Sequence, residues 1–223
     1  DEGSVFADKA TQSNWHPADY EGRQYYWKDD TSSDEVDGHF FGYPLFYDLC
    51  AKTDEERAAV AEHATAITRA IIDGGYYLRD LDGEKTGFGQ WAPEVIAVAV
   101  DGLPACYKDA QQSDDPAAYV EACLGAWGGG GWLNSVQILG VLLASWHMTG
   151  DELFYDEYER LIRDHKYDVV ATPHEQTFTI VLPSIMNHSD HELAMLAYHT
   201  LIRYEPNEER RALWIKGLRF LYD

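Results

Sequence analysis

A pattern that occurs three times along this 223-residue chain limits its fold more than any other sequence feature. Each time, a helix that starts on capping residues and is rich in apolar side chains is followed by a short acidic turn and a second, more charged helix. The inner-helix starts are residues 33–35, 134–135 and 187–190, and the turns are residues 53–56, 149–152 and 206–209. The pattern predicts three helical hairpins, each with a buried inner helix and a more exposed outer helix.

Helical hairpins that stack side by side form a curved solenoid, and a solenoid that closes on itself is an α/α toroid. We therefore expect a mainly α fold, with small β-hairpins in the insertions, such as one at the Asp82-Gly83 turn. Three hairpins are about half of a six-pair ring, so residues 31–223 are expected to be a toroid domain that is part of a longer chain. Residues 1–30 are aromatic-rich without a regular period, and we interpret them as an irregular N-terminal segment. Pro44 is expected to kink or split the first inner helix.

The charge and cysteine content exclude several classes of function. The chain has 17 Lys and Arg against 39 Asp and Glu, which gives a formal charge of −22. Such a surface repels phosphate backbones and anionic lipid, so we expect no binding to nucleic acid or to a membrane surface. No apolar run approaches the roughly 20 residues needed to span a bilayer, so we expect no membrane insertion either. The sequence lacks Cys-x-x-Cys and the usual phosphate- and dinucleotide-loop motifs, so no cofactor or metal is predicted. Cys50 is expected to be buried, and whether Cys106 and Cys123 pair is left open.

Acidic residues at the predicted inner-helix starts are the first candidates for catalysis. Glycoside hydrolysis needs two carboxyl groups across the scissile bond. Glu35, Glu94 and Asp190 are the natural candidates, because the tips of the inner helices meet at one end of a toroid. The alternative is that these acids only cap their helices and interact with the helix dipole.

Histidines near the same helix starts suggest a second chemistry. His39 or His188 could act as the general base of a polysaccharide lyase, with Tyr43 donating a proton to the leaving oxygen. The alternative is that these histidines are hydrogen-bonded at helix ends. A metal site built on His188, Asp190 and His191 is not favoured, because their spacing is weakly diagnostic.

Aromatic residues in predicted loops and at helix starts suggest a sugar-binding surface, because the apolar faces of sugar rings stack on aromatic rings. The predicted substrate-binding residues are Trp27, Tyr43, Trp91, Trp132 and Asn134. Loop aromatics can equally well cover the hydrophobic core.

Four stretches carry a resemblance to a known family, namely residues 30–43, 87–94, 134–162 and 187–205. Together they resemble an uncharacterised α/α-toroid family of large secreted bacterial proteins, related to (α/α)6-barrel glycoside hydrolases and polysaccharide lyases. The resemblance implies a secreted or extracellular domain, or a periplasmic one, that cleaves or binds a glycan in a cleft at the inner-helix N-termini. The alternative is a non-catalytic glycan-binding module or a structural subunit of an extracellular assembly, and the oligomeric state is left open.

Overall fold

The computed structural model describes residues 14–29, 31–96, 131–172 and 188–222, which are mainly helical with two small antiparallel β-hairpins. The strands are β1 (Trp15–Tyr20), β2 (Arg23–Lys28), β3 (Tyr77–Arg79) and β4 (Lys85–Gln90). The helices are α1 (Ser33–Leu45), α2 (Asp54–Asp73), α3 (Pro93–Ile96), α4 (Gly131–Thr149), α5 (Glu152–His165), α6 (Tyr167–Val170), α7 (His188–Tyr204) and α8 (Glu208–Phe220). The sequence predicts a helix at 116–124 and a β-like run at 178–182, and both stretches lie outside the described residues. Cys106 and Cys123 lie outside them as well.

The three predicted helical hairpins are confirmed as α1 with α2, α4 with α5, and α7 with α8. Each second helix begins at a side-chain N-cap, because Thr53, Asp151 and Asn207 accept hydrogen bonds from backbone N–H groups in the first turn. These caps satisfy donors that the helix itself leaves unpaired, so the three acidic turns end one helix and start the next.

Helix α4 lies at the centre of the described structure. It contacts α7, α5, α1 and α2, as well as the short helices α3 and α6. Every residue from Asn134 to Ser145 is buried, which agrees with a helix that is apolar on all sides. At Gly140, an added Cβ atom would lie 3.5 Å from the carbonyl oxygen of Ala197, so α4 and α7 approach each other closely.

The three inner helices α1, α4 and α7 run parallel to one another. At their beginnings, the ring of Trp132 on α4 lies 6.2 Å from the ring of His191 on α7. At their ends, Asp48 just after α1 contacts His147 near the end of α4 and Tyr204 at the end of α7. All three N-termini therefore point toward the same end of the molecule, as the helix pattern predicted.

Two local expectations need correction. The N-terminal segment was expected to be irregular, but residues 15–28 form the hairpin β1–β2 around a turn in which Glu21 and Gly22 both have positive φ. The hairpin was missed because its strands are mostly exposed and therefore lack an alternating apolar pattern. Pro44, which was expected to kink or split the first inner helix, lies one residue before the end of α1 at Leu45, and residues 46–50 continue as a π-helical turn. Cys50 is exposed and not buried.

Candidate functional site

Three aspartates form a cluster where the N-terminal parts of α1 and α7 meet. Asp34 and Asp37 are three residues apart on α1 and so share one side of that helix. That side faces α7, because the ring of Phe41, one turn further along, lies 5.1 Å from the ring of His199. Asp190 lies in the first turn of α7. We call Asp34, Asp37 and Asp190 the acidic cluster.

Asp37 is the buried member of the acidic cluster. Its accessible surface is only 3% of the maximum, and its Oδ2 atom has no hydrogen-bond partner among the described residues. Burial raises the pKa of Asp37 to about 8, and the nearby Asp34 carboxylate contributes to the increase. A buried carboxyl group without a cation or donor favours its neutral form, so Asp37 holds a proton at neutral pH.

Asp190 is half-buried and belongs to the same electrostatic group. Burial raises the pKa of Asp190, Asp34 raises it further, and His191 opposes the increase. Asp34 itself is exposed. The cluster therefore combines an accessible carboxyl group in Asp34 with two others whose proton affinity is increased by burial and by mutual repulsion.

An indole ring lies against His191, the residue that follows Asp190 of the acidic cluster. Trp132, in the first turn of α4, is half-buried and its ring meets the edge of His191. The Trp132 Nε1–H group donates a hydrogen bond of 3.1 Å to the hydroxyl of Tyr198. Tyr198 is fixed in turn, because it is fully buried and donates to the carbonyl of Ala171. Trp132, a predicted substrate-binding residue, is thus anchored against His191, the residue that follows Asp190.

A shallow groove of about 430 Å³ lies on the other side of α1. Glu35 and His39, one helical turn apart, line it together with Lys28, Thr31, Val36, Ile67 and Leu78. The structure therefore brings Glu35 and His39 together, as predicted. It places them on the side of α1 opposite to the side that carries the acidic cluster.

Within this groove, Glu35 has a local structural role. The backbone N–H of Ser32 donates to its carboxylate at 2.8 Å, and the Ser32 hydroxyl donates to it as well. Partial burial alone would raise the pKa of Glu35, but these hydrogen bonds lower it below its usual value. This is the capping alternative, so Glu35 is a poor proton donor. His39 is exposed and stacks on the half-buried ring of Tyr43 at 5.1 Å, which keeps the predicted base and acid of a lyase adjacent.

The remaining predicted site residues lie elsewhere. Glu94 is exposed at the start of α3 and accepts a hydrogen bond of 3.0 Å from the hydroxyl of Tyr77. Trp91 is completely buried, with Nε1 donating to Gln137, so the prediction that its ring contacts a substrate is wrong. It was misassigned because a tryptophan just before a helix can belong equally to a loop or to the core.

The helix expected to start at Asn134 begins earlier, and the buried Asn134 amide donates to the carbonyl of Gln90.

Trp27 is exposed on hairpin β1–β2, where Tyr20 and Tyr25 are exposed as well. The hairpin leads directly into α1, because Lys28 and Thr31 line the groove next to Glu35. The exposed aromatic residues thus lie on the element that precedes the inner-helix tip. The prediction for the side chain of His188 falls outside the described structure.

The described part of the chain lacks two other features, an arrangement of metal ligands and a membrane-spanning helix. No group of three or more His, Cys, Asp or Glu side chains there has the arrangement of a metal site. Among the described helices, none combines the length and the apolar character needed to cross a bilayer.

Asp37 is the functional candidate that the sequence analysis missed. It follows the core residue Val36 and precedes the core residue Phe40 by three positions, so helical geometry puts it at the edge of the buried face. An acid at such a position was the available signal. The candidates were instead chosen for their places at helix starts, which selects exposed capping residues.

Comparison with known proteins adds no relative to this description. No protein-family model, curated protein or solved structure is significantly similar to the chain.

Proposed function

We propose that this chain is a carbohydrate-active domain that hydrolyses a glycan at the acidic cluster. The parallel inner helices support the further proposal that their hairpins are part of an α/α toroid. In such a fold the inner-helix N-termini surround a common cleft. The acidic composition is compatible with a secreted or extracellular location, which we also retain as a proposal.

The observation that carries this proposal is a set of neighbouring carboxyl groups in different environments. Asp190 is half-buried, whereas Asp34 is exposed. Pairs of acids whose surroundings separate their proton affinities can divide the roles of acid and base between them. Such a division is what glycoside hydrolysis requires.

In the proposed reaction, Asp190 donates its proton to the glycosidic oxygen as the bond from that oxygen to the anomeric carbon breaks. Asp34, as a carboxylate, either removes a proton from the attacking water or attacks the anomeric carbon itself. The first route inverts and the second retains the configuration. Asp37, buried on the same side of α1 as Asp34, is not assigned a step in this reaction.

Aromatic side chains at the same end of the molecule could bind the sugar rings. Trp132 lies beside His191, and Trp27 is exposed on the hairpin that leads into α1. An indole face stacks against the C–H groups of a pyranose and excludes water from them. These rings support a glycan as the substrate over other acid-labile compounds.

The test is the turnover of a panel of neutral, amino and uronic-acid oligosaccharides, with products identified by mass spectrometry. We expect Asp34→Asn and Asp190→Asn each to lower kcat/KM by at least about 100-fold, as is typical for removal of an acid or base. Glu62→Gln, which changes an exposed acid in the middle of α2, is the matched control and should retain full activity. If both aspartate variants keep wild-type activity, hydrolysis at this cluster is excluded.

The same panel separates the lyase alternative. A lyase would act on uronic-acid oligomers, release an unsaturated product and depend on His39 and Tyr43 instead. Loss of such activity in His39→Gln, with Asp190→Asn still active, would place the chemistry in the groove.

A non-catalytic glycan-binding module is the second candidate function. It is favoured by the exposed aromatic residues Tyr20, Tyr25 and Trp27 on hairpin β1–β2, which need no catalytic acid to bind a sugar. In that case Trp27→Ala should abolish glycan binding, Asp34→Asn should leave it intact, and no glycan should be cleaved.

A further inference from the structure

The acidic cluster also indicates the charge of its ligand. Asp34 and Asp190 are accessible at the surface, and the buried Asp37 lies on the same side of α1 with an Oδ2 atom that has no donor among the described residues. A carboxyl oxygen that is buried without a partner is costly for a folded protein and needs an explanation. A cation bound at the cluster would reduce this cost by favouring the ionised carboxylates.

We propose that the acidic cluster binds a ligand that carries protonated primary amines, and specifically an amino sugar with free ammonium groups. This inference rests on the proposed function, which supplies the sugar, and adds the charge. The ammonium group would donate a hydrogen bond to Asp34, and Asp37 would attract it after losing its own proton. Asp190 would keep its proton for the glycosidic oxygen. The ring of Trp132 beside His191 provides an apolar and π-electron-rich surface for an aminated pyranose.

The charged groups around the cluster agree with this assignment. On α1 the titratable group next to Asp37 is Asp34. Helix α7 contributes Asp190 and His191 and, about two turns further along, His199. Helix α4 contributes no titratable side chain between residues 131 and 146. A uronic-acid ligand would bring its carboxylate against three aspartates, which Coulomb repulsion opposes.

The segments that immediately precede α4 and α7 in the sequence have a net negative charge, as the acidic cluster does. Residues 97–130 contain five Asp or Glu and one Lys, and residues 173–187 contain one Glu, which gives six acids against one base. The formal charge of −22 adds a long-range attraction for cations. Because such attraction is nonspecific, a valid test must separate the cluster from the overall charge.

The experiment is isothermal titration calorimetry of the full chain with three oligosaccharides of equal length near pH 6, where the amines of an amino sugar are largely protonated. These are an oligomer of glucosamine with free amines, its fully N-acetylated counterpart and an oligomer of a uronic acid. We expect the free-amine oligomer to bind at least about tenfold more tightly than the other two. Titration in two buffers of different ionisation enthalpy should reveal proton release, because a bound cation lowers the proton affinity of Asp37.

Variants locate the effect. Asp37→Asn should reduce both the proton release and the preference for the free amine. Asp34→Asn, at an exposed position that does not endanger folding, should reduce the preference by a similar factor. The control Glu62→Gln removes one negative charge elsewhere and should change neither quantity. If Glu62→Gln weakens binding as much as Asp34→Asn does, the attraction is nonspecific and the inference is overturned.

Further outcomes separate the two proposals and the source of the ammonium group. Spermidine carries ammonium groups without a sugar, and its binding as tightly as the glucosamine oligomer would overturn the assignment to an amino sugar. If neutral oligosaccharides are cleaved with the expected dependence on Asp34 and Asp190 but the free-amine oligomer is not preferred, only this inference fails. If no oligosaccharide is bound or cleaved, the proposed function fails with it.

Discussion

The two ends of the layer of inner helices differ in how they surround an aspartate. Near the N-terminal end, Asp37 is buried beside Asp34, lacks a partner for Oδ2, and burial raises its pKa to about 8. At the C-terminal end, Asp48 is contacted by three partners. His147 lies at 2.8 Å, the Tyr204 hydroxyl donates at 2.9 Å and Arg203 donates at 3.3 Å.

The pKa values follow these surroundings. Partial burial alone would raise the pKa of Asp48, but hydrogen bonds from His147, Tyr204 and Arg203 lower it below its usual value. The ring of His147 also stacks on that of Tyr204 at 4.0 Å. A fully paired acid joins helix ends and stabilises the fold, whereas an unpaired one lowers stability and is a candidate for function.

The C-terminal end of the inner helices, which contains Asp48 and which we call the paired end, also contains a buried acid. Glu205, directly after α7, has no accessible surface. Its carboxylate accepts hydrogen bonds from the hydroxyl of Tyr158, the indole N–H of Trp214 and the backbone N–H of Asn207. Arg210 lies 3.7 Å away and supplies a compensating charge. This network joins the end of α7 to the middle of α5 and the middle of α8.

The largest effect is expected for Glu205→Ala. The change leaves the hydroxyl of Tyr158 and the indole of Trp214 buried without an acceptor, so the free energy of unfolding should fall by about 3–5 kcal/mol. Urea denaturation at neutral pH measures the loss. The control is Glu208→Ala, an exposed first-turn acid whose removal should cost about 1 kcal/mol or less. A loss below about 1 kcal/mol for Glu205→Ala would contradict the stabilising role of the paired end.

Asp37→Asn is expected to raise the free energy of unfolding instead of lowering it. Because folding raises the pKa of Asp37 from 3.8 to about 8, the folded state binds more protons than the unfolded state between these values. The stability of the wild type therefore decreases as the pH rises through this interval. Asparagine cannot ionise, so at pH 8 the variant should be more stable by about 2 kcal/mol or more. Near pH 4 the two proteins should differ little.

Urea denaturation of both proteins across this pH range measures the difference. Glu62→Gln, at an exposed position, is the control and should follow the wild type at every pH. If Asp37→Asn destabilises the protein equally at all pH values, then Asp37 is an ordinary structural residue.

A smaller effect is expected for Asp48→Asn at the paired end. The folded state holds the pKa of Asp48 below its unfolded value, so the stabilisation is complete above the unfolded pKa and is lost as the pH falls through the folded pKa. The substitution should cost about 1 kcal/mol at pH 7, and the cost should diminish in acid. Thermal denaturation of both proteins at pH 7 and at an acidic pH checks the result. A stabilising effect at pH 7 would remove the contrast with Asp37.

Part of this molecule could be predicted from local sequence. The caps at Thr53, Asp151 and Asn207 and the apolar helix after residue 134 are short-range patterns, so the helical hairpins were predictable. The hairpin at Asp82-Gly83 followed from its turn residues. Hairpin β1–β2 could have been found from its Glu21-Gly22 turn, but its strands offered no burial pattern.

The candidate site was predicted only in part, because chemistry at a site depends on neighbours that are distant in sequence. Glu35 and Asp190 are equivalent in the sequence as acids in first helical turns. The structure separates them, because Glu35 is hydrogen-bonded by Ser32 whereas Asp190 lies near Asp34 on another helix. Burial likewise removed Trp91 from the surface.

The sequence by itself determined which segments are helices, which of them are apolar and that the chain is strongly acidic, because capping, periodicity and composition are local properties. Only the tertiary structure decided which carboxyl groups are paired and which face one another, because proton affinity depends on burial and on charges that folding brings within a few ångströms. The contrast between Asp37 and Asp48, eleven positions apart, arises from the helices packed against them.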